Sequence, residues 1–133
     1  MTNSTLRPRD LLKDWRAVLL AYGLPSAVIF VTGALPMADI WRGVVWASAS
    51  GVMSAVCFTN ARRCGRLHCF LTGPFLALAA LASLLYALGG LPLGPGGWSL
   101  IGMSLLVGSA LLMILPEAIA GRYGERLRAS HGR

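Results

Sequence analysis

Hydrophobic positions in this chain fall into long runs, and charged residues are confined to the segments between them. Residues 17–38, 43–61 and 67–116 contain no Asp, Glu, Lys or Arg. Uncharged apolar stretches of about 18 residues or more are typical of helices that cross a bilayer. The third run is too long for one span and is broken by turn-forming residues at 91–98. The predicted spans are residues 17–35, 43–59, 70–90 and 98–118.

Composition supports a membrane protein. Only 13% of the 133 residues are charged and 56% are hydrophobic, whereas soluble domains average about a quarter charged residues. We therefore predict an all-α polytopic membrane protein that folds as a four-transmembrane-helix bundle. The expected parts are an N-terminal arm (1–16), a transmembrane domain (17–121) and a basic tail (122–133).

The distribution of positive charge predicts the orientation. Of the 12 Lys and Arg residues, all but Arg42 lie in the arm, in the loop at 62–66 or in the tail. Four spans place these three segments on one side, and by the positive-inside rule that side is the cytoplasm. We expect both termini to be cytoplasmic and the membrane to be the bacterial inner membrane. The charge suits contact with membrane lipids, so no nucleic-acid partner is expected.

Small and special residues predict how the helices pack. Ala47, Gly51 and Ala55 recur every four residues in the second span, and Ser104 and Gly108 do so in the last. Such stripes favour close contact with a neighbouring helix, within the bundle, in a homo-oligomer or in a membrane partner.

Two further features predict local structure in the first half of the chain. Pro25 inside the first span predicts a kink. Trp41 and Trp46 predict an aromatic boundary at the outer interface.

The most informative segment is residues 57–69, which contains all three cysteines and one of the two histidines. Cys64 and His68 are four residues apart and would share a helix face, and Cys69 follows directly. Thiolate and imidazole are ligands suited to zinc, cuprous and mercuric ions. Cys64, His68 and Cys69 are therefore a candidate site for a thiophilic metal ion. Alternatively, Cys57 is a small buried hydrophobe and the other two are reduced cytoplasmic thiols.

A second candidate site is an anion or lipid contact formed by Arg62, Arg63, Arg66 and Thr72. Thr72 or Gly73 is expected to cap the third helix, with Pro74 in its first turn. The positive end of that helix beside three arginines suits a phosphate or a lipid headgroup. The alternative is that these residues only signal topology and cap the helix.

Glu117 is the acidic residue next to the long uncharged run. We expect a structural ion pair with one of the arginines at 62–66, since one carboxylate provides no chain for proton transfer. The acids are too few and poorly placed for a Ser-His-Asp set, and the glycines at 89–97 lack the lysine of a phosphate-binding loop. Catalysis has little positive support, although arginines beside Cys64 or Cys69 would favour a reactive thiolate.

The segment from Asn60 to Pro74 resembles a motif, N-A-x-R-C-G-R-x-H-C-x-x-T-G-P, of a family of small uncharacterised bacterial polytopic membrane proteins. The likeness extends more weakly to residues 115–117 and 121–123, and it implies a membrane protein without implying an activity. In size, helix number and cysteine use the chain is also similar to small mercury-resistance membrane transporters. Those carry vicinal cysteines in the first span, which has none here, so no residue roles follow.

These observations leave three functional hypotheses. The first is an integral inner-membrane protein that binds or transports a soft metal ion through the Cys64/His68/Cys69 loop. The second is a non-catalytic membrane scaffold or accessory subunit that packs through its small-residue faces. The third is a thiol-dependent membrane enzyme.

Overall fold

A computed structural model describes residues 15–64 and 67–130, with side chains described except at 63, 64, 67, 117 and 120–130. Every regular element in these ranges is helical. Four helical segments are long and apolar enough to cross a membrane. The all-α class and the four spans predicted from the hydrophobic runs are confirmed.

The second and fourth spans are longer than the apolar runs alone predict, and the third begins and ends three residues earlier than predicted. The first span consists of α1 (Trp15–Val18), a π-helical turn (Leu19–Gly23) and α2 (Leu24–Ala34), and the others are α3 (Asp39–Cys64), α4 (Leu67–Ala87) and α5 (Gly97–Ser130). At 1.5 Å per residue, the 34 residues of α5 extend about 51 Å, well beyond a hydrocarbon core of about 30 Å. Backbone hydrogen bonding therefore continues past the predicted boundary at residue 121.

A π-helical turn lies just before Pro25 in the first span, where the sequence predicts a kink. Proline has no N–H to donate to the carbonyl four residues earlier. The preceding Leu24 N–H bonds to the carbonyl of Leu19, five residues back. One extra residue is accommodated in the turn, which is the usual form of a π-bulge. This turn carries Tyr22 toward the interior of the bundle.

Helices α3 and α4 form the most extensive helix contact, and the first and last spans pack on this pair. A Cβ atom added at Gly43 would lie 2.2 Å from the Cβ of Ala87, so the helices approach closely there. Further along, Ser54 Oγ donates a 2.8 Å hydrogen bond to the carbonyl of Gly73. Ser54 thus satisfies its hydroxyl within the buried contact.

Within the chain, the stripe predicted from Ala47, Gly51 and Ala55 is not the face that packs on a neighbouring helix. Ala55 is exposed, and a Cβ atom added at Gly51 would meet no atom within 4 Å. In the last span Gly108 does pack closely, because an added Cβ would lie 2.3 Å from the Phe75 ring. A four-residue repeat of small side chains does not by itself select the face that a neighbouring helix will use.

Aromatic residues organise the end of the bundle that contains the α2–α3 and α4–α5 connections. Trp98 makes edge-to-face contacts with Trp46 at 5.3 Å and with Tyr86 at 5.0 Å between ring centroids. Trp46 was expected at the membrane boundary, but it is only 4% exposed and its Nε1 donates to Thr32 Oγ1 at 3.1 Å. Because the indole N–H has this partner, the ring can be buried. Trp41 is exposed, as expected of a boundary residue.

Candidate functional site

Two buried cysteine thiols approach each other where α3 packs against α4, and a methionine lies one helical turn from one of them. Met53 and Cys57 lie four residues apart on α3 and therefore share a helix face. Cys69 on α4 brings its thiol within hydrogen-bonding reach of the Cys57 thiol. The two cysteines are 2% and 1% exposed, and neither forms a disulfide. We call Met53, Cys57 and Cys69 the sulfur cluster.

A polar side chain accompanies each sulfur atom of the cluster. Tyr22 Oη lies 3.1 Å from Cys57 Sγ, and Asn60 Nδ2 donates to Cys69 Sγ at 3.7 Å. Ser26 Oγ donates to Met53 Sδ at 3.8 Å. Donors at these positions would stabilise negative charge on the thiols if they became thiolates, because hydrogen bonds favour the charged form that accepts them.

Tyr22 and Ser26 reach the cluster from the first span. They are four residues apart across the end of the π-helical turn, and both hydroxyl groups contact sulfur atoms of α3. The π-helical turn before Pro25 contributes Tyr22, and α2 contributes Ser26. Three helices therefore position the cluster: α3 and α4 supply the sulfur atoms, and the first span supplies two of the three polar neighbours.

The predicted Cys64, His68 and Cys69 set is only partly described. The Cys64 side chain lies outside the described residues, whereas His68 is buried beside Cys69 in the sequence. Consecutive residues point about 100° apart around a helix, so His68 and Cys69 face different directions. Within the described ranges no three His, Cys, Asp or Glu side chains are grouped to hold a metal ion. The predicted set stays a prediction.

Cys57 was considered only as a small buried hydrophobe, and sequence reasoning missed its pairing with Cys69. The four-residue spacing of Met53 and Cys57 was visible in the sequence. The pairing across two helices depends on the very short connection between Cys64 and Leu67. Helices separated by so few residues pack as neighbours, which brings residues near the end of α3 close to residues near the start of α4.

Thr72 does not cap a helix, contrary to the prediction. Helix α4 begins at Leu67 and continues through Pro74, so Thr72 lies in its second turn. Pro74 has no N–H to donate to the carbonyl of Phe70, so the helix continues through it with one backbone hydrogen bond fewer. Gly73 beside it packs on α3, and the Gly73 carbonyl accepts the Ser54 hydroxyl. Thr72 is 5% exposed, and its Oγ1 has no hydrogen-bond partner among the described residues.

The predicted anion contact is otherwise largely outside the described side chains. Arg62 is exposed near the end of α3. The side chains of Arg63, Arg66 and Glu117 are not among those described, so the anion contact and the ion pair stay predictions. Thr72 is separated from any such surface by its burial.

A groove of about 650 Å³ lies between the first span and α5. Its floor contains the buried side chains of Trp46, Met53, Thr72 and Leu76, and its rim includes the exposed Phe30 and Met103. Tyr22 and Ser26 line the same groove. The groove therefore opens toward the surroundings of the bundle and reaches inward as far as the sulfur cluster.

Comparison with known proteins provides no family for the chain. The resemblance of residues 60–74 to the motif of small bacterial membrane proteins stays a prediction. No known protein-family model matches this sequence, and no curated protein or solved structure is significantly similar to it.

Proposed function

We propose that this chain is a multi-pass protein of the bacterial inner membrane, with both termini cytoplasmic, that binds a soft metal ion, with cuprous ion as the preferred one. The observation that carries the proposal is the approach of the Cys57 and Cys69 thiols to each other across the α3 and α4 contact. Met53 adds a thioether on the same face of α3 as Cys57. Compared with the predicted set, the proposed site keeps Cys69 and has Met53 and Cys57 in place of Cys64 and His68.

The ligand types support cuprous ion. Thiolate and thioether sulfur are soft ligands that select Cu(I), whereas Mg²⁺ and Ca²⁺ prefer oxygen. Binding to two thiols releases protons and leaves one net negative charge on a Cu(I)–dithiolate unit. Tyr22 and Asn60 can donate hydrogen bonds to the sulfur atoms, which would stabilise that charge inside the bundle.

The burial of the cluster supports binding of a bare ion. Cys57 and Cys69 are almost completely enclosed, so a hydrated ion must lose its water to reach them. Cuprous ion accepts two or three sulfur ligands in place of water, whereas Mg²⁺ dehydrates reluctantly. In this proposal the ion enters the membrane interior by exchange onto the thiols, which is the first step that transport would require.

The test is a Cu(I) competition titration of detergent-purified, reduced protein against a chromophoric cuprous chelator. The variants are Cys57→Ser, Cys69→Ser and Cys64→Ser, each of which replaces one sulfur by oxygen. We expect one Cu(I) per chain in the wild type, loss of this binding in the first two variants and full binding in Cys64→Ser. Thermal unfolding of each variant checks that the fold is retained.

Because each cysteine is replaced separately, the titration distinguishes the sulfur cluster from the predicted loop site. Loss of binding in Cys64→Ser but not in Cys57→Ser would assign the metal to the loop and overturn the cluster. Wild-type protein that binds no cuprous, mercuric or zinc ion would overturn metal binding altogether. Co-purification of one membrane protein, lost on enlarging Gly51 and kept in Cys69→Ser, would then favour a scaffold function.

A further inference from the structure

Cys57 and Cys69 are a pair of free thiols that two different helices hold together. Their sulfur atoms lie within hydrogen-bonding reach of each other, and both cysteines are reduced. A disulfide joins sulfur atoms about 2 Å apart, so the two thiols need only a small further approach to become bonded. The packing of α3 on α4 therefore assembles the pair before any oxidant arrives.

The fold selects this pair against proximity in the sequence. Cys64 is five residues from Cys69 and seven from Cys57, whereas Cys57 and Cys69 are twelve apart. In a flexible chain the entropy of loop closure favours the closer pairs. Oxidation of the unfolded chain should therefore favour links that include Cys64, and oxidation of the folded chain should favour the Cys57–Cys69 link.

Burial determines which oxidant can act on the pair. Cys57 and Cys69 are 2% and 1% exposed, so a bulky oxidant is excluded while the helices stay packed. Cys69 lies in the first turn of α4, and the terminal turns of helices open most readily. The carbonyl of Phe70 in this turn receives no hydrogen bond from Pro74. Opening of the turn exposes Cys69 to a small uncharged oxidant such as hydrogen peroxide.

We propose that the sulfur cluster is also a redox switch, in which hydrogen peroxide joins Cys57 to Cys69 in a disulfide and thereby removes both thiol ligands from the metal site. Formation of the disulfide depends only on the contact between the two thiols. Its effect on metal binding rests on the proposed function.

The oxidation takes two steps. The Cys69 sulfur attacks one peroxide oxygen, the S–O bond forms as the O–O bond breaks, and the departing oxygen takes the thiol proton and leaves as water. The Cys57 sulfur then attacks the Cys69 sulfur, and the S–O bond breaks as the S–S bond forms. The hydroxyl group leaves with the Cys57 proton as a second water. The two sulfur atoms lose two electrons, and the peroxide is reduced.

The first experiment maps the disulfide. Reduced, metal-free protein in detergent is treated with hydrogen peroxide, unfolded in an alkylating reagent, digested and analysed by mass spectrometry. We expect a Cys57–Cys69 link in the folded wild type and in Cys64→Ser, whose thermal unfolding checks that its fold is retained. Wild-type protein that is unfolded before the peroxide is added is the control, and it should give mainly links through Cys64.

The second experiment measures Cu(I) binding by the oxidised Cys64→Ser variant, in which only the proposed pair can be linked. The disulfide should abolish binding. Treatment with dithiothreitol, a dithiol that reduces the link and becomes a cyclic disulfide, should restore binding once the reagent is removed. A variant that forms the link but binds no Cu(I) when reduced would overturn the proposed function and leave the disulfide standing. A variant that binds Cu(I) but forms no link would overturn the switch alone.

Two further results would overturn the switch. Links through Cys64 in the folded wild type, in the proportions found for the unfolded chain, would show that the fold does not select the pair. Full Cu(I) binding by protein that carries the Cys57–Cys69 link would show that the disulfide does not control the metal site.

Discussion

The indole Nε1 of Trp98 donates a 2.8 Å hydrogen bond to Oδ1 of Asp39, joining residues 59 positions apart in the sequence. The bond connects the first turn of α3 with the start of α5. Arg42 contacts both partners, with a 3.4 Å ion pair to Asp39 and its guanidinium 5.4 Å from the centre of the Trp98 ring. The two loops at this end of the bundle are thereby held together.

Substitution of Asp39 tests this connection. Asp39→Ala removes the acceptor for Trp98, the Arg42 pair and a negative charge at the start of α3. We expect the free energy of unfolding to fall by about 1–2 kcal/mol, a modest loss because the Asp39 side chain is 65% exposed. Asp39→Asn keeps an oxygen that can accept the Trp98 hydrogen bond, so its free energy of unfolding should fall by less than that of Asp39→Ala. Thermal unfolding in detergent measures both, and equal stability of Asp39→Ala and wild type would contradict the prediction.

Gly43 and Gly51 test which face of α3 packs on α4. Gly43→Ala places a methyl group against Ala87, and its added Cβ would lie 3.1 Å from the carbonyl oxygen of Ser83. Since backbone atoms must shift, we expect a loss of about 1–3 kcal/mol in the free energy of unfolding. Gly51→Ala is the control on the same helix. Its methyl group meets open space, so stability should be unchanged or rise by up to about 1 kcal/mol.

Reversal of that order, with Gly51→Ala destabilising and Gly43→Ala neutral, would show that the predicted Ala47, Gly51 and Ala55 stripe is a contact surface after all. Measurement at several protein concentrations would then separate contact within one chain from contact between chains, because an oligomer is stabilised by mass action.

Tyr22 is expected to support the sulfur cluster without binding the ion itself. Tyr22→Phe removes the hydroxyl 3.1 Å from Cys57 Sγ and retains the ring. We expect Cu(I) affinity to fall about fivefold, the effect of one hydrogen bond to the metal-bound sulfur. Tyr86→Phe is the control, because its hydroxyl bonds to Gly94 at the other end of the bundle. A similar fall in both variants would indicate a general loss of stability.

The orientation can be tested with reporter fusions at residue 94 and at the C-terminus. By the positive-inside rule, a phosphatase fused in the loop between α4 and α5 should be active outside the cytoplasm. A fluorescent protein fused to the C-terminus should fold and fluoresce inside. Phosphatase activity at the C-terminus would reverse the orientation, and the connection between α3 and α4 would then face outward.

Much of the architecture could be predicted because the bilayer imposes a simple rule on the sequence. A helix that crosses the bilayer must be apolar over about 20 residues. Whether a segment meets this requirement depends only on its own residues. The four spans and the distortion at Pro25 followed from such local criteria. Helix ends were less predictable, because α3 and α5 remain helical beyond the apolar core. Outside the bilayer core, side chains need not be apolar, so hydrophobicity does not mark where a helix ends.

The candidate site was less predictable because sequence spacing reports only which residues share a face of one helix. Cys64, His68 and Cys69 were grouped by their closeness in the sequence, whereas the described contacts of the Cys69 thiol are with Asn60 and Cys57, both on α3. Thr72 was predicted to cap a helix because Pro74 follows closely, but the helix had already begun at Leu67. The helix continues through Pro74 with one backbone hydrogen bond fewer, because proline has no N–H to donate.

The sequence by itself determined that a bilayer surrounds the protein, how many spans cross it and how many cysteines it has. Each of these depends only on the side chains within individual segments of the chain. Tertiary structure alone decided that Gly43 rather than Gly51 faces α4, that Trp46 is buried, and that Cys57 meets Cys69. These relationships depend on the rotation of each helix about its axis and on its neighbours. Both are set by the packing of all four spans together, which no single segment specifies.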